Sequence, residues 1–204
     1  MIKEPVFIDA NIIIHAASFR QADVFDWINS LYGQVLIHVE VLNELKTSSI
    51  KDRVDAFIND GTWVLFDPES EASIATDELY DLYLVYLTEV RLAFQQLDEK
   101  KIREGRPLKH TSDLGEIHSL AAARLISAGL ICSDDADIRE VITDAELYIV
   151  NLEEQQTLIR QHTLMDFCIH LKRYEVVKRS EVRKFFKTIR PRDLNVLDQH
   201  IDEI

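Results

Sequence analysis

Acidic residues at the ends of short apolar runs are the features of this chain with the clearest chemical consequences. Asp9 closes the run Val6-Phe7-Ile8, and Ser133-Asp134-Asp135 follows Leu130-Ile131-Cys132. Continuous runs of this kind read as strands buried on both faces, which belong to parallel sheets covered by helices. Ligands of open α/β sheets bind beyond the carboxyl ends of the strands, where the strand order reverses. If the two runs are neighbours across that point, Asp9 meets the Asp134/Asp135 pair. Glu44, two helical turns past Val35-Leu36-Ile37, is placed to join them. So are Asp113 and Glu116, which open the helical stretch leading to Leu130.

Each acid also fits an ordinary structural role. Asp113 with Glu116 three residues on matches a capping box. Asp134 or Asp135 could cap a helix starting near Asp137, and Glu40 and Glu44 could share a solvated helix face. Asp9, followed by the apolar Ile12-Ile13-Ile14, has no evident capping role. Convergence shifts the balance toward chemistry. Two carboxylates about 4 Å apart repel by roughly 4 kcal/mol at an effective dielectric near 20. No lysine or arginine stands beside Asp9 or Asp135 in the sequence, so a divalent cation is the expected neutraliser. Oxygen-only ligands select Mg²⁺ or Mn²⁺ over zinc, and such ions activate water and stabilise an in-line phosphoryl displacement.

The elements that must position these acids follow from periodicity. Further strand candidates are Trp63-Val64-Leu65-Phe66 and Leu147-Tyr148-Ile149-Val150. Between them, Leu79 to Leu97 and Ile117 to Ala128 carry apolar residues at three- and four-residue spacing, which predicts helices. Alternating strands and helices imply an α/β layered sheet with right-handed crossovers. A seam at about 151–163 separates this domain, 1–150, from a helical extension, 151–204. The extension patterns Leu164, Phe167, Cys168 and Leu171, then Val182, Phe185, Phe186 and Ile189, with Pro191 ending the second helix.

Composition bounds the answer. The chain has 204 residues with 47% hydrophobic and 29% charged, enough for a core without disulfides. Only five glycines and four prolines argue against turn-rich sandwiches and barrels. Cys132 and Cys168 sit among apolar neighbours and read as reduced, buried thiols of a cytoplasmic protein. No targeting segment is expected at the start. The longest apolar region, Ile117 to Cys132, contains His118 and Arg124, so no membrane contact is expected. A net charge of −13 argues against nonspecific coating of nucleic acid. Residues 171–192 depart from that average with nine basic and two acidic side chains.

The acids occur in motifs that resemble those of PIN-domain nucleases, the VapC-toxin-like ribonucleases. Phe7-Ile8-Asp9-Ala10-Asn11-Ile12-Ile13 is similar to the first motif of that family, and Glu44 before Leu45 to the second. Gly115-Glu116-Ile117-His118 resembles the Gly-Glu form of the third, and Ser133-Asp134-Asp135 with Arg139 the fourth. The match covers residues 6 to about 150. The resemblance implies a parallel sheet of order 3-2-1-4-5 with helices on both faces, and metal-dependent hydrolysis of single-stranded RNA. Asp9, Glu44, Glu116 and Asp135 would hold Mg²⁺ or Mn²⁺, with Asn11 and Ser133 orienting carboxylates or water. Asp113 competes with Glu116 and Asp134 with Asp135. The chain departs from compact toxin members by a helical insertion at about 73–105 and by its tail.

The resemblance also gives the basic tail a use. Lys172, Arg173, Lys178, Arg179, Arg183 and Lys184 could meet the RNA, as could Lys100, Lys101, Arg103, Arg106 and Lys109. His15, His110 and His118 are read as ordinary residues, because water on a divalent ion needs no histidine. A toxin of this family would have an inhibitory antitoxin-type protein, and a homodimer through the apolar tail helices fits the family. Two other readings stand beside the ribonuclease: a non-catalytic PIN-like module that binds RNA or protein, and a haloacid-dehalogenase-like phosphatase. The latter needs a second Asp two residues after its nucleophile, where this chain has Asn11.

Overall fold

A computed structural model describes residues 1–109, 113–150 and 154–204. Five strands form one parallel sheet: β1 (Ile2–Ile8), β2 (Tyr32–His38), β3 (Trp63–Phe66), β4 (Leu130–Cys132) and β7 (Arg160–His162). Their order across the sheet is β3-β2-β1-β4-β7. Direction reverses from β1, so the carboxyl ends of β1 and β4 flank the switch point. Phe7 pairs with Ile131 and Ile8 with Cys132, which sets Asp9 and Ser133 side by side.

Pleating splits the strands between two apolar layers. Val6, Ile8, Val35, Ile37, Leu130 and Cys132 face one layer with α1 (Ala10–Ser18), α2 (Val24–Leu31) and the carboxyl-terminal helices α8 (Leu164–Arg173), α9 (Arg179–Ile189) and α10 (Leu194–Asp202). Phe7, Leu36 and Ile131 face the other, with α5 (Asp77–Glu104), α6 (Leu114–Leu125) and α7 (Ala136–Asp144). The short α3 (Val39–Glu44) carries β2 into α4 (Ser48–Asn59). The 28-residue α5 begins at a Thr76 cap and ends at Gly105, whose φ of 68° is the left-handed conformation glycine takes freely.

Two features differ from expectation. The run Leu147–Val150 does not fill the fifth sheet position. Its strand, β5 (Tyr148–Val150), pairs antiparallel with β6 (Gln156–Leu158) in a separate hairpin, with Ile149 buried and its neighbours exposed. That alternation belongs to a one-sided strand, not to one covered on both faces. The fifth position goes to β7 at the sheet edge, whose Arg160-Gln161-His162 carries no apolar signal because its buried members are polar: Gln161 donates to the loop after β4, and His162 Nδ1 meets Tyr32 Oη at 3.1 Å. Residues 160–162 thus complete the sheet from beyond the boundary expected at 150.

The tail helices share the core of the sheet. Phe185 of α9 is 1% exposed and packs edge-on against Phe19 and Trp27, with Phe167 of α8 beside it. Both free cysteines are buried in this layer. No helix among the described residues is long and apolar enough to cross a membrane. Phe185→Ala should therefore lower stability by about 3–5 kcal/mol in urea unfolding followed by circular dichroism, as a core truncation does. A loss under about 1 kcal/mol would mean that α9 is peripheral.

Candidate metal centre

Asp9 follows β1 directly and is 2% exposed. Its Oδ1 accepts from the Ala10 N–H at 2.7 Å, so it caps α1, a role the sequence had not suggested. Its Oδ2 accepts from Asn11 Nδ2 at 2.5 Å and from Ser133 Oγ at 2.7 Å. Asn11 Oδ1 in turn accepts from the Asp134 N–H at 3.0 Å, and Ser133 Oγ accepts from the Asp135 N–H at 3.2 Å. Asn11 and Ser133 thus stitch the end of β1 to the loop after β4. Gln161 of β7 supports that loop from below, donating to the Ser133 and Asp135 carbonyls at 2.8 and 2.6 Å.

Glu44 is the last residue of α3. Its Oε1 accepts from the Gly115 N–H at 3.0 Å, in the first turn of α6. A Cβ at position 115 would stand 2.8 Å from that oxygen and 3.0 Å from Val41 Cγ2, so only glycine permits this approach. One residue on, Glu116 is 9% exposed and its Oε2 is buried without a hydrogen-bond partner among the described residues. The expected capping box is absent: Asp113 makes no side-chain cap, and its carboxylate turns toward the cluster. Asp135 does cap its helix, with Oδ1 accepting from the Asp137 N–H at 2.9 Å.

Oxygens of Asp113, Glu116 and Asp135 lie within 4.8 Å of one another. Asp113 and Glu116 therefore both reach the cluster instead of one replacing the other. Asp134 does not. Its Oδ1 accepts from the Leu164 N–H at 3.1 Å, and its Oδ2 from Arg190 at 2.7 and 3.1 Å, with His15 Nε2 at 3.7 Å. Burial would raise the Asp134 carboxyl, but these bonds together hold it below its ordinary value.

The electrostatics follow from crowding. Burial first, then the charge on Glu44, pushes Asp9 up to about 6 despite hydrogen bonds from Ser133 and Ala10. Burial and the Asp9 charge push Glu116 up to about 7. Glu44 is raised by burial and by Glu116. One expectation fails here. The cluster does contain a cation: Lys109 Nζ donates to Asp135 Oδ2 and lies 3.1 Å from Asp113 Oδ1 and 3.3 Å from Asp137 Oδ2. Asp137 is also held by Lys101 at 2.5 Å, on the buried face of α5. Lys109 stands four residues before Asp113 but 26 before Asp135, so only its i,i+4 neighbour was readable from spacing.

The remaining expected residues lie apart from the acids. Arg179 pairs with Asp198 and Asp202 of α10, Arg183 with Asp198, and Arg139 with Asp166. Among the described residues no ion pair engages Lys172, Arg173, Lys178 or Lys184. His118 Nδ1 meets Tyr83 Oη at 2.7 Å, and that hydroxyl also meets His38 Nε2 at 3.1 Å, a polar group buried between α3, α5 and α6. His110 lies outside the described residues.

The buried carboxyls predict a pH effect with a definite sign. Asp9 and Glu116 bind protons more readily folded than unfolded. Their contribution to metal-free stability is full below the ordinary carboxylate range and is lost as pH rises through about 7. Buried His38 and His162 and half-buried His118, lowered by desolvation to about 3, 4 and 4 in the order His38, His162, His118, act oppositely: their contribution is full above the ordinary histidine value and is lost as pH falls. A difference isolates the carboxyl. In EDTA, Glu116→Gln should exceed the wild type in urea stability by on the order of 1–3 kcal/mol near pH 8, and by little near pH 4. The same difference at both pH values would contradict a crowded Glu116 carboxylate.

No protein-family model matches the chain, and no curated protein matches it. Among solved structures, VapBC2 from Rickettsia felis bound to a DNA fragment from their promoter is similar over 67% of this chain and 92% of that chain, with 11% identity and a TM-score of 0.37.

Proposed function

We propose that this chain is a divalent-metal-dependent nuclease that hydrolyses phosphodiester bonds. The observation that carries the reading is the buried Glu116 Oε2, without a hydrogen-bond partner among the described residues, in a cluster with oxygens of Asp113 and Asp135. A buried carboxylate oxygen that accepts nothing is costly, and a cation would satisfy it. The donor set is oxygen only, which fits Mg²⁺ or Mn²⁺. Glu116, Asp135 and Asp113 would hold the ion, with Asp9 and Glu44 supplying further negative charge. When bound, such an ion supplies Lewis acidity toward a phosphate oxygen and lowers the pKa of water.

The chain's own groups then have distinct tasks. Asn11 and Ser133 fix Asp9 through both its oxygen and the loop behind it. Gly115 lets Glu44 seat against the first turn of α6. Single-stranded RNA as the substrate comes from the motif resemblance, as do an inhibitory protein of the antitoxin type and a cytoplasmic location. On this reading the basic stretch 171–192 offers Lys172, Arg173, Lys178 and Lys184 to the phosphate backbone. Arg179 and Arg183 contribute less, being already paired with α10.

A second reading is a binding module without catalysis. The observation that favours it is Lys109, which already offsets part of the negative charge. One assay separates the two: cleavage of a mixed-sequence single-stranded RNA with Mn²⁺ or Mg²⁺, wild type beside Asp9→Asn. The nuclease reading expects metal-dependent fragments and a rate loss of about a hundredfold or more in Asp9→Asn. Equal cleavage by both proteins, or none by either, would count against it. A DNA strand of the same sequence, run in parallel, tests the choice of sugar.

A further inference from the structure

Lys109 sits where the metal reading requires a cation. Its ammonium is shared between Asp135 and Asp113, and both are members of the carboxylate cluster. Asp137, the third acid in reach, has its own partner in the buried Lys101 at 2.5 Å. The effect of Lys109 therefore falls on Asp113 and Asp135. The side chain is 29% exposed, so a path to solvent is open to it. Lysine suits this place: its ammonium is compact and its four-carbon stem flexible, whereas a guanidinium would bind both carboxylates in a fixed fork.

We infer that Lys109 is a resident counter-ion of the acid cluster, and that a divalent ion binds by displacing its ammonium from Asp113 and Asp135. The inference rests on the metal reading and deepens it, naming the residue that sets metal affinity. A divalent ion and the ammonium would compete for these oxygens. A divalent ion would be held directly by these carboxylate oxygens. An ammonium on the same oxygens would then stand within a few ångströms of a double positive charge, in a partly buried site. Exchange is the arrangement that electrostatics favours. Without metal, the lysine limits repulsion among carboxylates that fold together. With metal, the ammonium is released toward solvent at the mouth of the site. Apparent metal affinity is reduced by the fraction of molecules in which the lysine is seated.

The test is calorimetric titration of Mn²⁺ into the metal-free full chain, without nucleic acid, for wild type, Lys109→Met and Lys100→Met. Methionine keeps most of the stem and removes the charge. Lys100 pairs with Asp144 and Glu140 outside the cluster, so its variant reports the effect of one fewer positive charge on the protein as a whole. The expected result is a dissociation constant about tenfold lower for Lys109→Met, with Lys100→Met within about twofold of wild type. Thermal unfolding in EDTA gives a second readout. Lys109→Met should melt below wild type without metal and regain the difference when Mn²⁺ saturates. Binding by Lys109→Met alone would support the inference most directly. Equal or weaker Mn²⁺ binding by Lys109→Met, with wild type binding, would overturn the counter-ion role and leave the metal centre standing. No binding by either protein would overturn both.

Discussion

Mutual repulsion among carboxylates governs the architecture around the switch point of the sheet. Asp9, Glu44, Asp113 with Glu116, and Asp135 come from four separate places in the chain, and folding brings them together at the carboxyl edge of β1 and β4. Crowding like this raises the free energy of the fold, so the surrounding structure must oppose it. Much of the polar detail does so. Asp9 receives an amide, an N–H and a hydroxyl. Asp135 receives a helix N–H and an ammonium. Glu44 receives the N–H of a residue that must lack a side chain. Among these five acids, Glu116 keeps a buried oxygen without a hydrogen-bond partner among the described residues. The cost is thus concentrated at one atom, the point where a ligand of positive charge gains most.

The apolar layers supply the rigidity that this arrangement needs. Alternate residues of β1 enter opposite layers, so the strand that ends in Asp9 is fixed from both sides. The helices after residue 163 belong to one of those layers. Their link to the site is polar as well as apolar, because Arg190 binds Asp134 and the Leu164 N–H binds the same carboxylate. Asp134 therefore works as a brace between the tail and the loop, while its neighbour Asp135 faces the cluster. Adjacent acids have opposite assignments because successive side chains in an extended loop point apart.

Much of this was legible in the sequence where the signal was local. The runs at Val6–Ile8 and Leu130–Cys132 are apolar throughout because both faces of those strands are covered, and each ends in an acid. The long periodicity of Leu79 to Leu97 gave α5. Signals that depend on tertiary partners were not legible. β7 carries no strand pattern because its buried Gln161 and His162 are polar and make tertiary hydrogen bonds. The helix α10 lies past Pro191, where the periodic stretch had ended. Lys109 reads as one more basic residue until folding brings Asp135 to it. Asp9 appeared to lack a capping role because the Ala10 N–H bond is visible only once α1 starts at that residue. The choice between Asp134 and Asp135 likewise depended on Arg190, 56 residues away.

The long reach of the contacts that close the site has a consequence for synthesis. The Ser133 hydroxyl that binds Asp9 is separated from it by 124 residues, and Gln161 and Arg190 act later still. A chain emerging from the ribosome at about 5–20 residues per second carries Asp9 and Glu44 for several seconds before Ser133 exists. During that interval β1 can pair with β2 but not with β4. The acids brought together in the finished fold remain dispersed and solvated in the nascent one. Whatever chemistry the centre performs, the contacts that close it are complete only after the ribosome has passed Arg190.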